Sequence, residues 1–164
     1  LALQTARDGG LALTVHAGEA DAAGRVVEAL RLGASRIGHG IRLADALHDP
    51  QQRGLVDEVI ERGVHLEVCP TSNVHTGAAA SIGTHPITAL WRAGVSLGVN
   101  TDNRLMSRIT LSGECTALLD QTTLTLHDLV RMQREAAQHS FLGAEAKAAA
   151  MAALDRYSAA SSST

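Results

Sequence analysis

The chain has 164 residues, 45% of them hydrophobic and 19% charged, with 15 glycines. That is the composition of one folded globular domain, so disorder, collagen and low complexity are excluded as descriptions of the whole. The formal net charge is −3 with eight histidines counted neutral, which leaves no basic field for a phosphate backbone and argues against nucleic acid as a partner. No apolar run approaches the roughly 18 residues of a spanning helix, so no membrane partner is expected. Cys69 and Cys115 stand alone, without a CxxC pair, and point to a reducing, cytoplasmic setting. The chain begins at Leu1, without a Met and without a signal-peptide pattern, and the expectation is of a truncated sequence.

In chain order, the apolar run 11–15 (LALTV) reads as a strand ending in His16-Ala17-Gly18-Glu19. Residues 21–32 place Val26, Val27 and Leu30 at helical spacing, with Asp21 as N-cap and Gly33 closing the helix. Residues 35–38 form a very short strand leading to His39-Gly40, and a polar stretch then enters a helix near 51–62 closed by Gly63. Val64–Val68 is the third strand and stops at Cys69-Pro70. Residues 71–84, rich in Gly, Ala and Ser, read as a loop. His85-Pro86 opens a helix through Trp91, closed by Gly94, and 95–100 is the fourth strand, ending in Thr101-Asp102-Asn103. Helices are expected near 110–121, 125–140 and 143–157, with residues 1–157 as the folded unit and 158–164 as a disordered tail.

Strand and helix thus alternate four times, which implies a parallel sheet with right-handed crossovers. Four units in 164 residues leave about 40 each, against the roughly 250 residues of a complete (β/α)₈ barrel. The fold class expected is α/β, half of a TIM barrel followed by C-terminal helices. Polar, titratable residues collect at the strand tips (His16 and Glu19, His39, Cys69 to Asn73, Asp102 and Asn103), while the strand starts read as bland. That asymmetry is the mark of a barrel's catalytic face.

His16-Ala17-Gly18-Glu19, Arg36-Ile37-Gly38-His39-Gly40, Cys69-Pro70-Thr71-Ser72-Asn73, His85-Pro86-Ile87 and Asn100-Thr101-Asp102 resemble, in order, the motif set of the adenosine/AMP deaminase family. The resemblance runs from about Leu11 to Ser140. Asn103 to Ser107 is similar to the form in some bacterial adenosine deaminases, and Thr71 leans the same way, where adenine deaminases tend to carry Leu. The resemblance implies a zinc-dependent (β/α)₈ barrel that replaces the C6 amino group of a purine with oxygen, using one Zn²⁺. It implies His16 and Asp102 as zinc ligands and Glu19 as proton donor to ring N1, which requires a neutral carboxyl. It implies His39 as the group that holds the attacking water, and Asn103 as the reader of purine N7.

Two departures accompany the match. No two of the eight histidines are two residues apart, so the family's His-x-His pair is absent and the chain resembles the C-terminal half of the family, with the N-terminal half of the barrel as its missing partner. Asn103 replaces the family's second Asp; its amide donates without needing a proton to be added first.

Read without the family, His16 is a strand-end histidine and Glu19 a helix N-terminal acid. His85 is a helix-start residue that packs. His48, His65, His75, His127 and His139 are surface or capping residues, Cys69 is a small buried hydrophobe, and Arg131 and Arg134 are a solvated helix face. The function expected is hydrolytic deamination of adenosine and deoxyadenosine to inosine and ammonia in purine salvage. The alternatives are another purine aminohydrolase, such as an adenine or modified-nucleoside deaminase, and a non-catalytic half-barrel binding module.

Overall fold

The computed structural model describes residues 2–161, with side chains described for residues 2–157. The elements are α1 (Ala2–Asp8), β1 (Thr14–Ala17), α2 (Gly24–Arg31), β2 (Arg36–His39), α3 (Leu43–Leu47), α4 (Arg53–Glu61), β3 (His65–Val68), α5 (Pro70–His75), α6 (Ile87–Arg92), β4 (Leu97–Val99), α7 (Arg104–Ser107), α8 (Leu111–Gln121), α9 (Leu126–His139) and α10 (Ala144–Ser161). The four strands form one parallel sheet in the order β1-β2-β3-β4.

The register separates two faces. Val15 pairs with Ile37, Ile37 with Leu66 and Leu66 with Leu97. This row belongs to the core, where Val26, Val56, Val59, Ile87 and Leu90 of the helices are also fully or nearly fully buried. The opposite face carries His16, Gly38, Glu67 and Gly98 in one row and Thr14, Arg36 and His65 in the row below.

Each of α2, α4 and α6 ends the same way. Gly33 N donates to Leu30 O and Ala34 N to Ala29 O; Gly63 N donates to Ile60 O and Val64 N to Val59 O; Gly94 N donates to Trp91 O and Val95 N to Leu90 O. Each is a Schellman close, with a left-handed glycine and a buried residue after it that enters the next strand.

The structure corrects several expectations. The first strand is Thr14–Ala17, so His16 lies within it. Residues 70–75, expected within a loop from 71 onward, are helical, and α1, α3 and α7 had no counterpart in the expected elements. Asp21 caps no helix: its Oδ1 accepts a 2.7 Å bond from Gly18 N, and α2 starts after Ala23. The helix α10 continues to Ser161, past the boundary expected at residue 157; the remaining tail residues, 162–164, lie outside the described residues.

The strand starts are not bland. Thr14 Oγ1 donates to Glu67 Oε2 at 2.9 Å, and Arg36 is ion-paired with Glu67 while its guanidinium lies 4.7 Å from the Phe141 ring centroid. His65, expected as a surface or capping residue, is 1% exposed. Its ring stacks on His139 with centroids 5.0 Å apart, and its Nδ1 lies 3.0 Å from Ser96 Oγ, which in turn donates to Glu135. Arg131 and Arg134 are not simply solvated: Arg131 lies over Trp91, and Arg134 pairs with Asp155 of α10.

Burial, reinforced by the charges of His139 and Arg36, pushes His65 down from 6.5 to about 3. Between those values the folded state binds fewer protons than the unfolded chain. The stability from neutral His65 is therefore complete above about pH 6.5 and is lost as pH falls toward about 3. In urea melts of the full-length protein, this window should show a loss of up to about 1.4 kcal/mol per pH unit from this group. His65→Gln should flatten the slope by that amount; an unchanged slope would assign the loss elsewhere.

Candidate active site

The turn after β1 requires glycine. At Gly18 φ is +69°, and a Cβ there would come within 2.7 Å of Val26 Cγ2 and 3.3 Å of Gly40 Cα. Arg42 secures the turn, its backbone N donating to Gly18 O and its Nε to Glu19 O. The turn carries Glu19 over the sheet's C-terminal edge, half-buried. Glu19 Oε1 accepts from Asn73 Nδ2 at 2.8 Å and from Thr76 Oγ1 at 3.0 Å, while Oε2 lies 3.5 Å from His39 Nε2.

His39 ends β2 in the left-handed region, at φ +66°, and is 3% exposed. Its Nδ1 lies 3.1 Å from Asn73 Nδ2, and its ring meets the His16 ring edge-on with centroids 5.1 Å apart. Burial pushes the imidazole below its usual range, and nearby His16 adds to this, against the opposing charges of Glu19 and Asp102. Asp102 follows β4, also left-handed at φ +53°, and its Oδ2 accepts from Ser72 Oγ at 2.7 Å.

His16, His39 and Asp102 line one cleft of about 270 Å³, together with Gly38, Cys69 and Asn100. Glu19 reaches it through His39. Asn103 stands beside it as the N-cap of α7, its Oδ1 accepting from Met106 N at 3.1 Å. Cys69 is buried and its thiol is pushed up to about 12, so it is inert as a nucleophile. His16 and Asp102 offer an imidazole nitrogen and a carboxylate oxygen, donor types that zinc accepts. Among the described residues, no group of three or more His, Cys, Asp or Glu side chains is placed to hold a metal ion.

Sequence reasoning missed three parts of this arrangement. Ser72 and Asn73 lie in a quoted motif but were given no role. His85 does start a helix, its Nδ1 accepting from Ile87 N at 3.1 Å, yet its Nε2 also lies 3.3 Å from Asn73 Oδ1. Glu114 of α8 is 0% exposed and accepts from Thr71 N at 3.2 Å and Thr71 Oγ1 at 3.0 Å; burial raises its carboxyl. The available signal was spacing, since Glu114 is one turn before buried Leu118 and so falls on the core face of its helix.

Four parallel βα units with titratable groups gathered at the strands' C-terminal ends define the catalytic-face layout of a (β/α) barrel. The sequence model of the family described as adenosine deaminase matches residues 1–157, and the chain belongs to that family. An adenosine deaminase of Shewanella loihica is 36% identical over 148 residues, which are 90% of this chain and 43% of that protein. The crystal structure of an adenine deaminase from Arthrobacter aurescens matches with TM-score 0.86 and 26% identity, over 94% of this chain and 46% of that one. An amidohydrolase of Burkholderia ambifaria, solved with bound Zn, matches with TM-score 0.79 and 25% identity, over 95% of this chain and 43% of that one. The chain therefore spans less than half the length of these relatives, as part of a deaminase barrel. Among the described residues, no helix is long and apolar enough to cross a membrane.

Glu114→Ala in the full-length protein removes the acceptor for two Thr71 donors beneath the site. A loss of about 2–4 kcal/mol in urea unfolding is expected, with Glu114→Gln losing less. Equal losses in the two variants would show that the carboxylate's acceptors do not matter.

Proposed function

We propose that the protein containing this chain hydrolyses the C6 amino group of adenosine and deoxyadenosine, giving inosine or deoxyinosine and ammonia. The observation that carries the reading is the convergence of His16, His39 and Asp102 on one cleft, with Glu19 joined to them through His39.

Glu19 delivers a proton to ring N1. Asn73 and Thr76 both donate to Oε1, so a neutral Glu19 carries its proton on Oε2, the oxygen nearer His39. Protonation at N1 draws electron density from C6 and opens it to water. Asp102, held by Ser72, accepts the proton that water gives up, and His39 orients the attacking oxygen. Asp102 passes that proton to the amino group, which leaves C6 as ammonia, and the hydroxyl hydrogen left on C6 returns to Glu19 as the product carbonyl forms. Zinc, with His16 and Asp102 among its ligands and the others drawn from outside these side chains, would supply Lewis-acid activation of water near neutral pH. Asn103 uses its Oδ1 to cap α7, which leaves its Nδ2 available as a donor to N7.

Adenine is the second substrate to test, because the Arthrobacter aurescens likeness is to an adenine deaminase. The relatives at 36–37% identity are described as adenosine deaminases. Thr71 supports the same choice through its hydroxyl bond to Glu114, which a leucine could not make.

The zinc-loaded full-length protein should convert adenosine and deoxyadenosine well ahead of adenine, followed by the change in ultraviolet absorbance. Glu19→Gln should cut kcat by roughly 10²–10⁴ while metal analysis finds zinc retained, and His16→Ala should lose zinc. The reverse pattern of metal content would exchange the two roles, and a wild type faster on adenine would move the substrate assignment.

A double cycle tests Asn103. 7-Deazaadenosine lacks the N7 acceptor and should be penalised by about one to two powers of ten in kcat/KM. Asn103→Ala should erase most of that penalty, because coupled partners are non-additive. An undiminished penalty in the variant would leave Asn103 as a helix cap only.

A further inference from the structure

Asn73 is 0% exposed and His85 is 4% exposed, and the proposed reaction gives neither a chemical step. Together they connect a backbone amide to the cleft. At the far end, Ile87 N lies 3.1 Å from His85 Nδ1. A backbone N–H can only donate, so Nδ1 is an acceptor and the hydrogen of the neutral imidazole sits on Nε2. Burial holds His85 neutral, pushing it down to about 4.

His85 Nε2 therefore donates to Asn73 Oδ1, 3.3 Å away. That contact fixes which way the amide faces. Its NH₂ is turned to the other side, with one hydrogen for Glu19 Oε1 at 2.8 Å and one for His39 Nδ1 at 3.1 Å. The opposite amide orientation would set a carbonyl oxygen against the Glu19 carboxylate and turn the NH₂ against the His85 Nε2–H donor. With all three polar positions of Asn73 used, His39 Nδ1 must accept. Its hydrogen is then on Nε2, the nitrogen 3.5 Å from Glu19 Oε2.

We propose that His85 and Asn73 are positioning residues, which transmit the fixed polarity of the Ile87 amide to His39 and hold it as the Nε2–H tautomer. His39 thus presents a donor, not a lone pair, on its Glu19-facing nitrogen. Use of that donor on the attacking oxygen rests on the deaminase reading; the tautomer itself does not.

The test is two-bond ¹H–¹⁵N correlation of the histidine rings in the zinc-loaded full-length protein near neutral pH, with His39→Gln to assign the resonance. His39 should show a bare Nδ1 and a protonated Nε2. Asn73→Asp is nearly isosteric but replaces the donor with an acceptor, and should reverse the His39 tautomer. If that variant does not fold, His85→Phe keeps the ring volume and frees the amide to turn over. It should mix the two tautomers and lower kcat about tenfold with KM changed less than about twofold. A wild-type His39 carrying its hydrogen on Nδ1 would overturn the proposal, as would folded variants that keep the Nε2–H form unmixed. The spectra need no substrate, so a protein inert on adenosine would refute the functional reading while leaving this one to be decided by the tautomer.

Discussion

Across the open face of the sheet, large and absent side chains alternate in one row: His16, Gly38, Glu67, Gly98. The vacancies are required. A Cβ on Gly38 would stand 3.1 Å from the His16 ring, and one on Gly98 would stand 2.8 Å from Ala136 Cβ and 3.1 Å from His65 Nε2. Gly38 is thus the space into which His16 leans, and this joins the motif of the first strand to the motif of the second. The opposite face holds the apolar row of Val15, Ile37, Leu66 and Leu97, so a slip of one residue in β2 or β3 would send Arg36 or Glu67 into the helical layer. Layered filling of this kind is how barrel interiors pack.

The same constraint explains where strain is placed. His39 and Asp102 are two of the three described non-glycine residues at positive φ, a conformation that costs roughly 1–2 kcal/mol for an L-residue. Glycine would relieve it, but would leave no side chain over the cleft. The strain is held by surrounding bonds: Gly40 N to Ala17 O after β2, and Asn100 N to Val68 O before Asp102. Gly40 has no alternative residue either, since at φ +69° its Cβ would lie 2.8 Å from Leu66 Cδ2. The turn after β2 therefore sets one strained residue, His39, beside one obligatory glycine, Gly40.

Much of this was legible in the chain. Apolar runs and the glycines at 33, 63 and 94 marked the alternation of strands and helices, because helix closure depends on a local backbone conformation that glycine supplies. The motif residues His16, His39 and Asp102 were likewise readable, and they lie on one cleft. His65 was not readable, because alternation in His65–Val68 sets His65 and Glu67 on a common face that looks solvated from sequence. Here that face is the inner side of a barrel layer, covered at His65 by His139. Glu114 and His85 were hidden for a related reason. Their roles are set by what they touch across 43 and 12 residues of chain, and no local pattern records that.

The segment 71–73 shows how partners can override composition. Threonine, serine and asparagine compete with a helix for their own backbone, so this run reads as loop. Yet Thr71 must meet Glu114, Ser72 must meet Asp102, and Asn73 must meet Glu19, His39 and His85. Consecutive strand residues alternate between two directions and would send positions 71 and 73 the same way. A helix turns about 100° per residue and gives each of the three its own direction. Pro70 starts the turn without losing a bond, since its missing N–H falls where helices leave one unused, and Asn73 N closes the turn on Cys69 O at 2.9 Å. The order within the run is therefore fixed by valence as well as by shape. Exchanging Ser72 and Asn73 would leave one hydroxyl hydrogen to serve both Glu19 and His39.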